Sequence, residues 1–186
     1  MPKKKLRSGF TTGTSAAAAT KAALQALVQS EVPQTVRIDF LSEGSVVIPV
    51  HRLERLSEQA ALATVIKDAG DDPDVTHRAE IGARVTITST AKPPGNGLIV
   101  LISGGEGVGR VTKPGLEIPP GEPAINTGPR RMIQNAIRQV LGRDARPLKV
   151  DVEIFIPNGE QLARKTLNAR LGIIGGLSIL GTTGIV

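Results

Sequence analysis

The chain has 186 residues, of which 40% are apolar and 2% aromatic, and it carries a formal net charge of +6. With no cysteine and only two histidines, it excludes disulfides, thiolate metal sites and a zinc site built mainly of imidazoles. The length fits one domain, or one domain with part of another, around a core of Ala, Val, Ile and Leu.

The basic balance favours an anionic partner, which is nucleic acid, a phosphate compound or a polycarboxylate. Nucleic acid has little support, because the sequence has no Tyr or Trp for base stacking and no helix-turn-helix, zinc-finger or RNP pattern. No apolar run has the length of a membrane span or of a leader peptide. We expect a cytoplasmic protein that binds a small molecule, without a nucleic-acid or membrane partner; a homo-oligomer stays open.

The first half of the sequence predicts one helix followed by strands. Ala and Leu predict the helix over 15–29. Alternating apolar residues predict a strand over 35–41 and its hairpin partner over 45–53. Two more strands are predicted over 62–69 and 83–90, on either side of an acidic loop.

The second half predicts a buried strand over 97–102, a helix over 129–141, a strand over 148–156 and a short helix over 159–167. Proline in the first turn and glycine after the last turn mark the bounds of the longer helix. This order predicts an α+β fold with a mainly antiparallel, mixed sheet of about six to seven strands and helices packed on one face.

The end of the sequence has a different composition. Residues 169–186 are rich in Gly, Ile and Leu and contain one charged side chain, that of Arg170. A complete domain seldom ends with such a segment unless it docks into a sheet. We expect residues 1–168 to form an α+β domain for substrate binding and catalysis, and residues 169–186 to begin a second α/β domain or to be a truncated end.

A glycine-rich stretch, "SGGEGVGRVTKPG", follows the strand over 97–102. The spacing of Gly105, Gly107 and Gly109 matches neither the dinucleotide fingerprint nor a P-loop. It is typical of a wide hairpin turn or of a backbone that a ligand approaches closely, with Glu106 projecting into the site. The density of glycine around one carboxylate favours the ligand site.

The acidic loop "KDAGDDPDVTH" places Asp68, Asp71, Asp72 and Asp74 close together in sequence. Neighbouring carboxylates raise each other's pKa unless a cation lies among them, and the spacing does not match an EF-hand. The loop is either a solvated acidic turn or the source of a carboxylate that binds a cation or acts as a general base.

Two predicted helix starts carry groups that suit an anion. In "GEPAINTGPRRMI", Arg130 and Arg131 lie in the first helical turn, where positive charge opposes the helix dipole unless an anion is bound. An ordinary cap by Asn126 or Thr127 with solvated arginines explains the pattern equally well.

The first helix is preceded by "RSGFTTGTSA", which offers the hydroxyls of Thr11, Thr12, Thr14 and Ser15 around Gly13. One N-cap needs one hydroxyl. The surplus indicates a bound oxyanion.

Five segments, in this order, resemble the CbiD family, the cobalt-precorrin-5B (C1)-methyltransferases of anaerobic cobalamin biosynthesis. They are "LRSGFTTGTSAAAATKAA", "VIKDAGDDPDVTHRAEI", "GGEGVGRVTKPGL", "GEPAINTGPRRMI" and "NARLGIIGGLSILGTTGIV", which span nearly the whole chain. The family usually has Cys where this chain has Ser15, so no thiol mechanism is expected. Its members are much longer, and their second half is thought to carry much of the S-adenosylmethionine site.

The resemblance implies methyl transfer from S-adenosylmethionine to carbon 1 of a cobalt-corrinoid polycarboxylate. From the cysteine and histidine counts, no metal site of the protein is expected. A non-catalytic module that binds anions or RNA is the alternative. The expected proton acceptors are Asp68, Asp72 or Glu106. The residues expected to bind substrate are Thr11, Thr12, Thr14, Ser15, Asn126, Arg130 and Arg131. The residues expected to bind S-adenosylmethionine are Gly105, Gly107, Gly109, Gly175, Gly176, Gly181 and Thr182.

Overall fold

A computed structural model of the protein describes residues 6–29, 32–89, 97–142 and 148–186. Its helices are α1 (Thr12–Val28), α2 (Thr127–Leu141) and α3 (Gly159–Ala163). Its strands are β1 (Thr35–Asp39), β2 (Ser45–Pro49), β3 (Arg52–Arg55), β4 (Ala60–Ile66), β5 (Glu80–Ser89), β6 (Leu98–Gly104), β7 (Arg110–Val111), β8 (Leu148–Phe155) and β9 (Ile173–Ile174). The α+β class is confirmed.

The main sheet has five strands in the order β3-β4-β5-β8-β6. Neighbours are antiparallel except β6 and β8, which are parallel and are connected through α2. Two small sheets, β1-β2 and β7-β9, lie outside it. The strands expected in one sheet are therefore divided among three.

Several sequence-based boundaries change: the first helix begins at Thr12 instead of 15, and the last ends at Ala163 instead of 167. The strand predicted over 45–53 is two strands, because the chain leaves its β1 partner after Pro49 and then pairs with β4. The strand predicted over 83–90 begins earlier, at Glu80, and residue 90 lies outside the described residues.

Helix α1 is the centre of the core. It packs against α2, β4 and β5, and Ala16, Ala17, Ala18 and Ala19 have no exposed surface. A helix that is apolar on most faces is stable only when it is buried, and small side chains let its neighbours approach closely. The alanine run therefore places α1 between α2 and the main sheet.

The C-terminal segment packs on the same unit. Strand β9 pairs with β7, and isolated bridges join Leu177 to Val108, Ile179 to Ile125 and Ile185 to Phe10. These contacts bring residues 177–186 to the N-terminus of α1. The domain boundary expected at 168/169 stays a prediction. No helix of the described residues has the length and apolarity needed to cross a membrane.

Candidate functional site

A pocket of about 390 Å³ lies where the N-terminus of α1, the loop after β4 and the C-terminal segment meet. We call it the terminal pocket. Its polar lining consists of Thr11, Thr12, Asp74, Thr76, Thr166, Asn168, Ser178, Thr182 and Thr183. Leu177, Leu180 and Ile185 contribute apolar surface. The volume and the mixed lining are typical of a small-molecule site.

The first turn of α1 forms one wall of the terminal pocket. Thr11 is the N-cap, and its Oγ1 accepts a hydrogen bond from N of Thr14 at 3.1 Å. Thr12 Oγ1 donates to O of Leu180 at 3.1 Å and accepts from N of Leu180 at 2.8 Å. The helix begins earlier than position 15 because this cap satisfies its first turn.

The hydroxyls of Thr14 and Ser15 lie deeper than the pocket. Thr14 Oγ1 donates to O of Gly184 at 2.7 Å, and Ser15 Oγ donates to O of Thr11 at 3.0 Å. Both side chains are fully buried. In this structure the surplus hydroxyls hold the helix start and the C-terminal segment together, and their expected contact with substrate stays a prediction.

Asp74 is the only side-chain carboxylate among the residues that line the terminal pocket. Its Oδ2 lies 2.6 Å from Nζ of the fully buried Lys67, and its Oδ1 accepts hydrogen bonds from N and Oγ1 of Thr76, each at 2.7 Å. Burial alone would raise the pKa of the Asp74 carboxyl, but the hydrogen bonds from Lys67 and Thr76 hold it below its ordinary value. The pocket therefore contains a permanently ionised carboxylate near neutral pH.

Sequence reasoning did not single out Asp74 from the other acids of its loop. The signal that distinguishes it is Lys67, which follows the apolar strand β4 and is 1% exposed. A lysine so placed needs a counter-charge, because burying an unpaired ammonium is costly.

The expected proton acceptors lie outside the terminal pocket. The guanidinium of Arg7 holds Asp68 with hydrogen bonds to both carboxylate oxygens, and N of Gly70 donates to Asp68 Oδ1 at 2.9 Å. The hydrogen bonds from Arg7 and Gly70 lower the pKa of Asp68 to about 2, which makes it a weak proton acceptor. Asp72 is exposed on the loop, and Glu106 lines a separate pocket of about 250 Å³. The structure does not bring the three together, and their catalytic role stays a prediction.

The glycine-rich loop after β6 packs against its own chain. Gly107 O accepts a hydrogen bond from N of Leu177 at 2.8 Å, and Gly109 N donates to O of Leu177 at 2.7 Å. A Cβ at Gly107 would lie 2.0 Å from O of Ile156, and one at Gly176 would lie 2.2 Å from O of Gly107. Close backbone approach therefore requires glycine here.

The residues expected to bind S-adenosylmethionine fall into two places. One group consists of Gly105, Gly107 and Gly109 in the β6–β7 loop and Gly175 and Gly176 after β9, and within it Gly107 and Gly109 pack against Gly176. The other, Gly181 and Thr182, lines the terminal pocket beside Thr11 and Thr12.

The N-terminus of α2 is closed by an acid of the same chain. Glu117 accepts hydrogen bonds from N of Thr127 at 2.6 Å and from Nδ2 of Asn126 at 2.8 Å. The hydrogen bonds from Thr127 hold the pKa of the Glu117 carboxyl below its ordinary value. The first-turn guanidinium of Arg130 donates to O of Ile125 at 2.8 Å.

Of the groups expected to bind substrate at α2, Asn126 and Arg130 therefore have partners within the chain, whereas Arg131 is exposed. The anion that the sequence indicated at this helix is supplied by Glu117, which sequence reasoning missed. Within the described residues, no group of three or more His, Cys, Asp or Glu side chains is placed to hold a metal ion.

The family model described as CbiD matches residues 1–186. The chain belongs to the CbiD family. The resemblance of the five sequence segments is thereby confirmed, and the alternative of a non-catalytic anion- or RNA-binding module gains no support.

Two similar members of this family bear the same name. A protein of Geotalea daltonii is 53% identical over 181 residues, which cover 97% of this chain and 49% of that protein. One of Brucella anthropi is 50% identical over 184 residues, covering 99% of this chain and 48% of that protein. Both are named cobalt-precorrin-5B C(1)-methyltransferase. The chain thus spans about half the length of the curated relatives it matches.

A crystal structure shares the fold. It is described as a cobalamin biosynthesis protein (cbiD) from Archaeoglobus fulgidus, with 31% sequence identity and a TM-score of 0.71. The match covers 97% of this chain and 54% of that one. The CbiD fold therefore extends over nearly all of this chain.

Proposed function

We propose that this chain contributes both substrate-binding and donor-binding residues to a cobalt-precorrin-5B C(1)-methyltransferase, which moves a methyl group from S-adenosylmethionine to carbon 1 of a cobalt-corrinoid polycarboxylate. One observation carries the proposal. Thr11 and Thr12, expected to bind substrate, and Gly181 and Thr182, expected to bind the methyl donor, line the same pocket. Methyl transfer requires this, because the reacting atoms must lie roughly 3–3.5 Å apart.

The lining of the terminal pocket fits S-adenosylmethionine in its chemistry. Leu177, Leu180 and Ile185 offer apolar contacts, and a ring of hydroxyls offers hydrogen bonds. The ionised carboxylate of Asp74 has an acceptor position left on Oδ2, which would take a hydrogen bond from a hydroxyl or ammonium group of the donor. Its pKa lies below the ordinary value, so we assign it hydrogen bonding and not proton removal.

The donor supplies an already activated methyl group, so the protein mainly orients its two ligands and excludes water. The apolar residues of the terminal pocket serve the second task. Proton removal from the substrate is assigned to Asp72 or Glu106 and not to Asp68, whose pKa of about 2 makes it a weak proton acceptor. Substrate carboxylates are assigned to the exposed Arg131 and to the hydroxyls of Thr11 and Thr12, which line the terminal pocket.

The test is ligand binding and methyl transfer by the full chain. Calorimetry should detect binding of S-adenosylmethionine and of a corrinoid polycarboxylate, and methyl-labelled donor should pass its label to cobalt-precorrin-5B. Thr182→Phe fills the terminal pocket and should abolish donor binding, since Thr182 is exposed at its lining and makes no described side-chain hydrogen bond.

Ser57→Phe is the matched control, because Ser57 lies on the exposed turn between β3 and β4. It should bind both ligands as the unchanged chain does. Failure of the unchanged chain to bind either ligand, or equal donor binding by the two variants, would overturn the proposal.

A further inference from the structure

A second pocket, of about 460 Å³, lies on the other side of the Lys67–Asp74 ion pair. We call it the basic pocket. Lys67 lines this pocket and Asp74 lines the terminal pocket, while their charged atoms lie 2.6 Å apart. The pair therefore forms part of a wall shared by two neighbouring pockets.

The two walls of the basic pocket differ in chemistry. One is apolar and comes from β2, with Val46, Val47 and Pro49. The other comes from the N-terminal segment and the loop between β4 and β5, and carries charged and polar side chains. Such a pocket suits a ligand with an apolar body and a charged group at its edge.

Of the three basic side chains in the polar wall, two are paired with carboxylates and one is not. Arg7 is paired with Asp68, and Lys67 is paired with Asp74. The guanidinium of Arg78 makes no hydrogen bond or ion pair with any residue in the part of the chain that the structure describes. A guanidinium binds carboxylates through two parallel hydrogen bonds.

His77 adds an oriented donor to the same wall. Its Nδ1 accepts a hydrogen bond from N of Ala69 at 3.1 Å, which assigns the proton of the neutral ring to Nε2. Nε2 has no partner among the described residues. His77 and Arg78 are neighbours in sequence, and both line the pocket.

The backbone at Arg78 is unusual. Its φ of 67° lies in the left-handed region, and its N donates to O of Lys67 at 2.9 Å. Glycine or asparagine adopts this conformation more easily than arginine does. Backbone strain of this kind concentrates at binding sites.

We propose that the basic pocket binds a carboxylate group carried at the edge of an apolar body, with the Arg78 guanidinium and His77 Nε2–H as its donors. The identity of that body as a carboxylated macrocycle rests on the proposed function. The pocket would hold a peripheral acetate or propionate group of the macrocycle, next to the terminal pocket where the methyl donor binds.

The experiment measures binding of uroporphyrin III, a macrocycle edged with acetate and propionate groups, by its fluorescence at fixed ionic strength. Arg78→Asn removes the charge and keeps a residue that tolerates the left-handed conformation. We expect this variant to bind uroporphyrin at least tenfold more weakly than the unchanged chain. Arg55→Asn, on the exposed end of β3, is the matched control and should bind as the unchanged chain does.

Two further arms separate this inference from the proposed function. The methyl ester of uroporphyrin has the same body without charges, so its binding should not respond to Arg78→Asn. Binding of S-adenosylmethionine should also be unchanged in that variant. Dependence of uroporphyrin binding on Arg78, with no binding of S-adenosylmethionine by the unchanged chain, supports the basic pocket and overturns the proposed function. Absence of uroporphyrin binding, or equal binding by the Arg78 and Arg55 variants of the folded chain, overturns the basic pocket.

Discussion

The N-termini of α1 and α2 have similar sequences, but different chemical groups accept the hydrogen bonds of their first-turn backbone N–H groups. Both helices contain a Thr-Gly pair in their first turn, and neither has an acid there. At α1 the free backbone groups meet neutral partners: the Thr11 hydroxyl accepts from N of Thr14, and O of Leu180 accepts from N of Gly13 at 2.8 Å. At α2 the partner is the carboxylate of Glu117.

This difference determines where an external anion would be attracted. A helix N-terminus carries roughly half a positive charge, which a neutral cap leaves uncompensated and a carboxylate neutralises. The start of α1 therefore keeps its attraction for an anionic ligand and also faces the terminal pocket. The start of α2 is already neutralised, although its arginines make it the more obvious anion site in the sequence.

The two helix starts touch, and breaking that junction should have the largest effect. A Cβ at Gly13 would lie 2.7 Å from Cγ of Pro129 in α2 and 2.9 Å from O of Leu180. Gly13→Val should lower the free energy of unfolding by about 3 kcal/mol, because it overpacks a buried contact that includes backbone. Urea unfolding measures this.

Gly115→Ala is the control for the Gly13 substitution. A Cβ there meets nothing within 4 Å, although φ is +101°. Only the backbone conformation is then disturbed, and the loss should be about 1 kcal/mol. Equal stabilities of the Gly13 and Gly115 variants would contradict a tight junction between the helices.

Removing each cap in turn should show how a neutral cap and a charged cap differ in their effect on stability. Thr11→Ala and Glu117→Ala should each cost about 1 kcal/mol of stability, the usual value for a lost cap. Sulfate should restore part of the loss in Glu117→Ala, since an external anion can replace the carboxylate at an exposed helix start. It should restore less of the loss in Thr11→Ala, because Thr11 is 6% exposed and sulfate reaches that helix start less easily.

The measurement is urea unfolding with sodium sulfate and with sodium chloride at equal ionic strength. The unchanged chain reports the general stabilisation by sulfate, which is subtracted. If sulfate stabilises Glu117→Ala no more than the unchanged chain, the interpretation that an anionic group stabilises the N-terminus of α2 is wrong.

Local patterns predicted most of the fold because they depend on neighbours in sequence. The periodicity of α2 and the β1–β2 hairpin are of this kind. The partner of Thr14 Oγ1 is 170 positions away, and that of Thr12 Oγ1 is 168 positions away. The sequence shows more hydroxyls than one cap needs, but the tertiary fold determines which groups they hydrogen-bond.

The candidate site shows the same limit. Four acids in one loop look equivalent in sequence, and only the fold pairs Asp74 with the buried Lys67 and Asp68 with Arg7. The meeting of Thr12 with Thr182 in one pocket depends on docking of the C-terminal segment. The surplus of hydroxyls pointed to Thr12 and the family resemblance to Thr182, but neither predicted that the two residues would meet.

The smallest expected effect is a pH dependence confined to α2. The hydrogen bonds from Thr127 lower the pKa of Glu117, so its stabilising contribution is complete above its ordinary pKa and is lost as pH falls through the lowered value. The carboxylate is exposed, so solvent screening keeps the effect below about 1 kcal/mol. Thr11 does not titrate, and the cap of α1 should not respond.

Hydrogen exchange, expressed as protection factors between about pH 6 and pH 3, measures both helix starts in one sample. The amide of Thr127 should lose protection on acidification, while that of Thr14 keeps it. In Glu117→Gln the neutral side chain removes the titrating group, so the Thr127 amide should no longer respond to pH. A parallel loss of protection at both helices would show instead that acid destabilises the whole fold. The difference between the two caps would then make no measurable contribution to the free energy of unfolding.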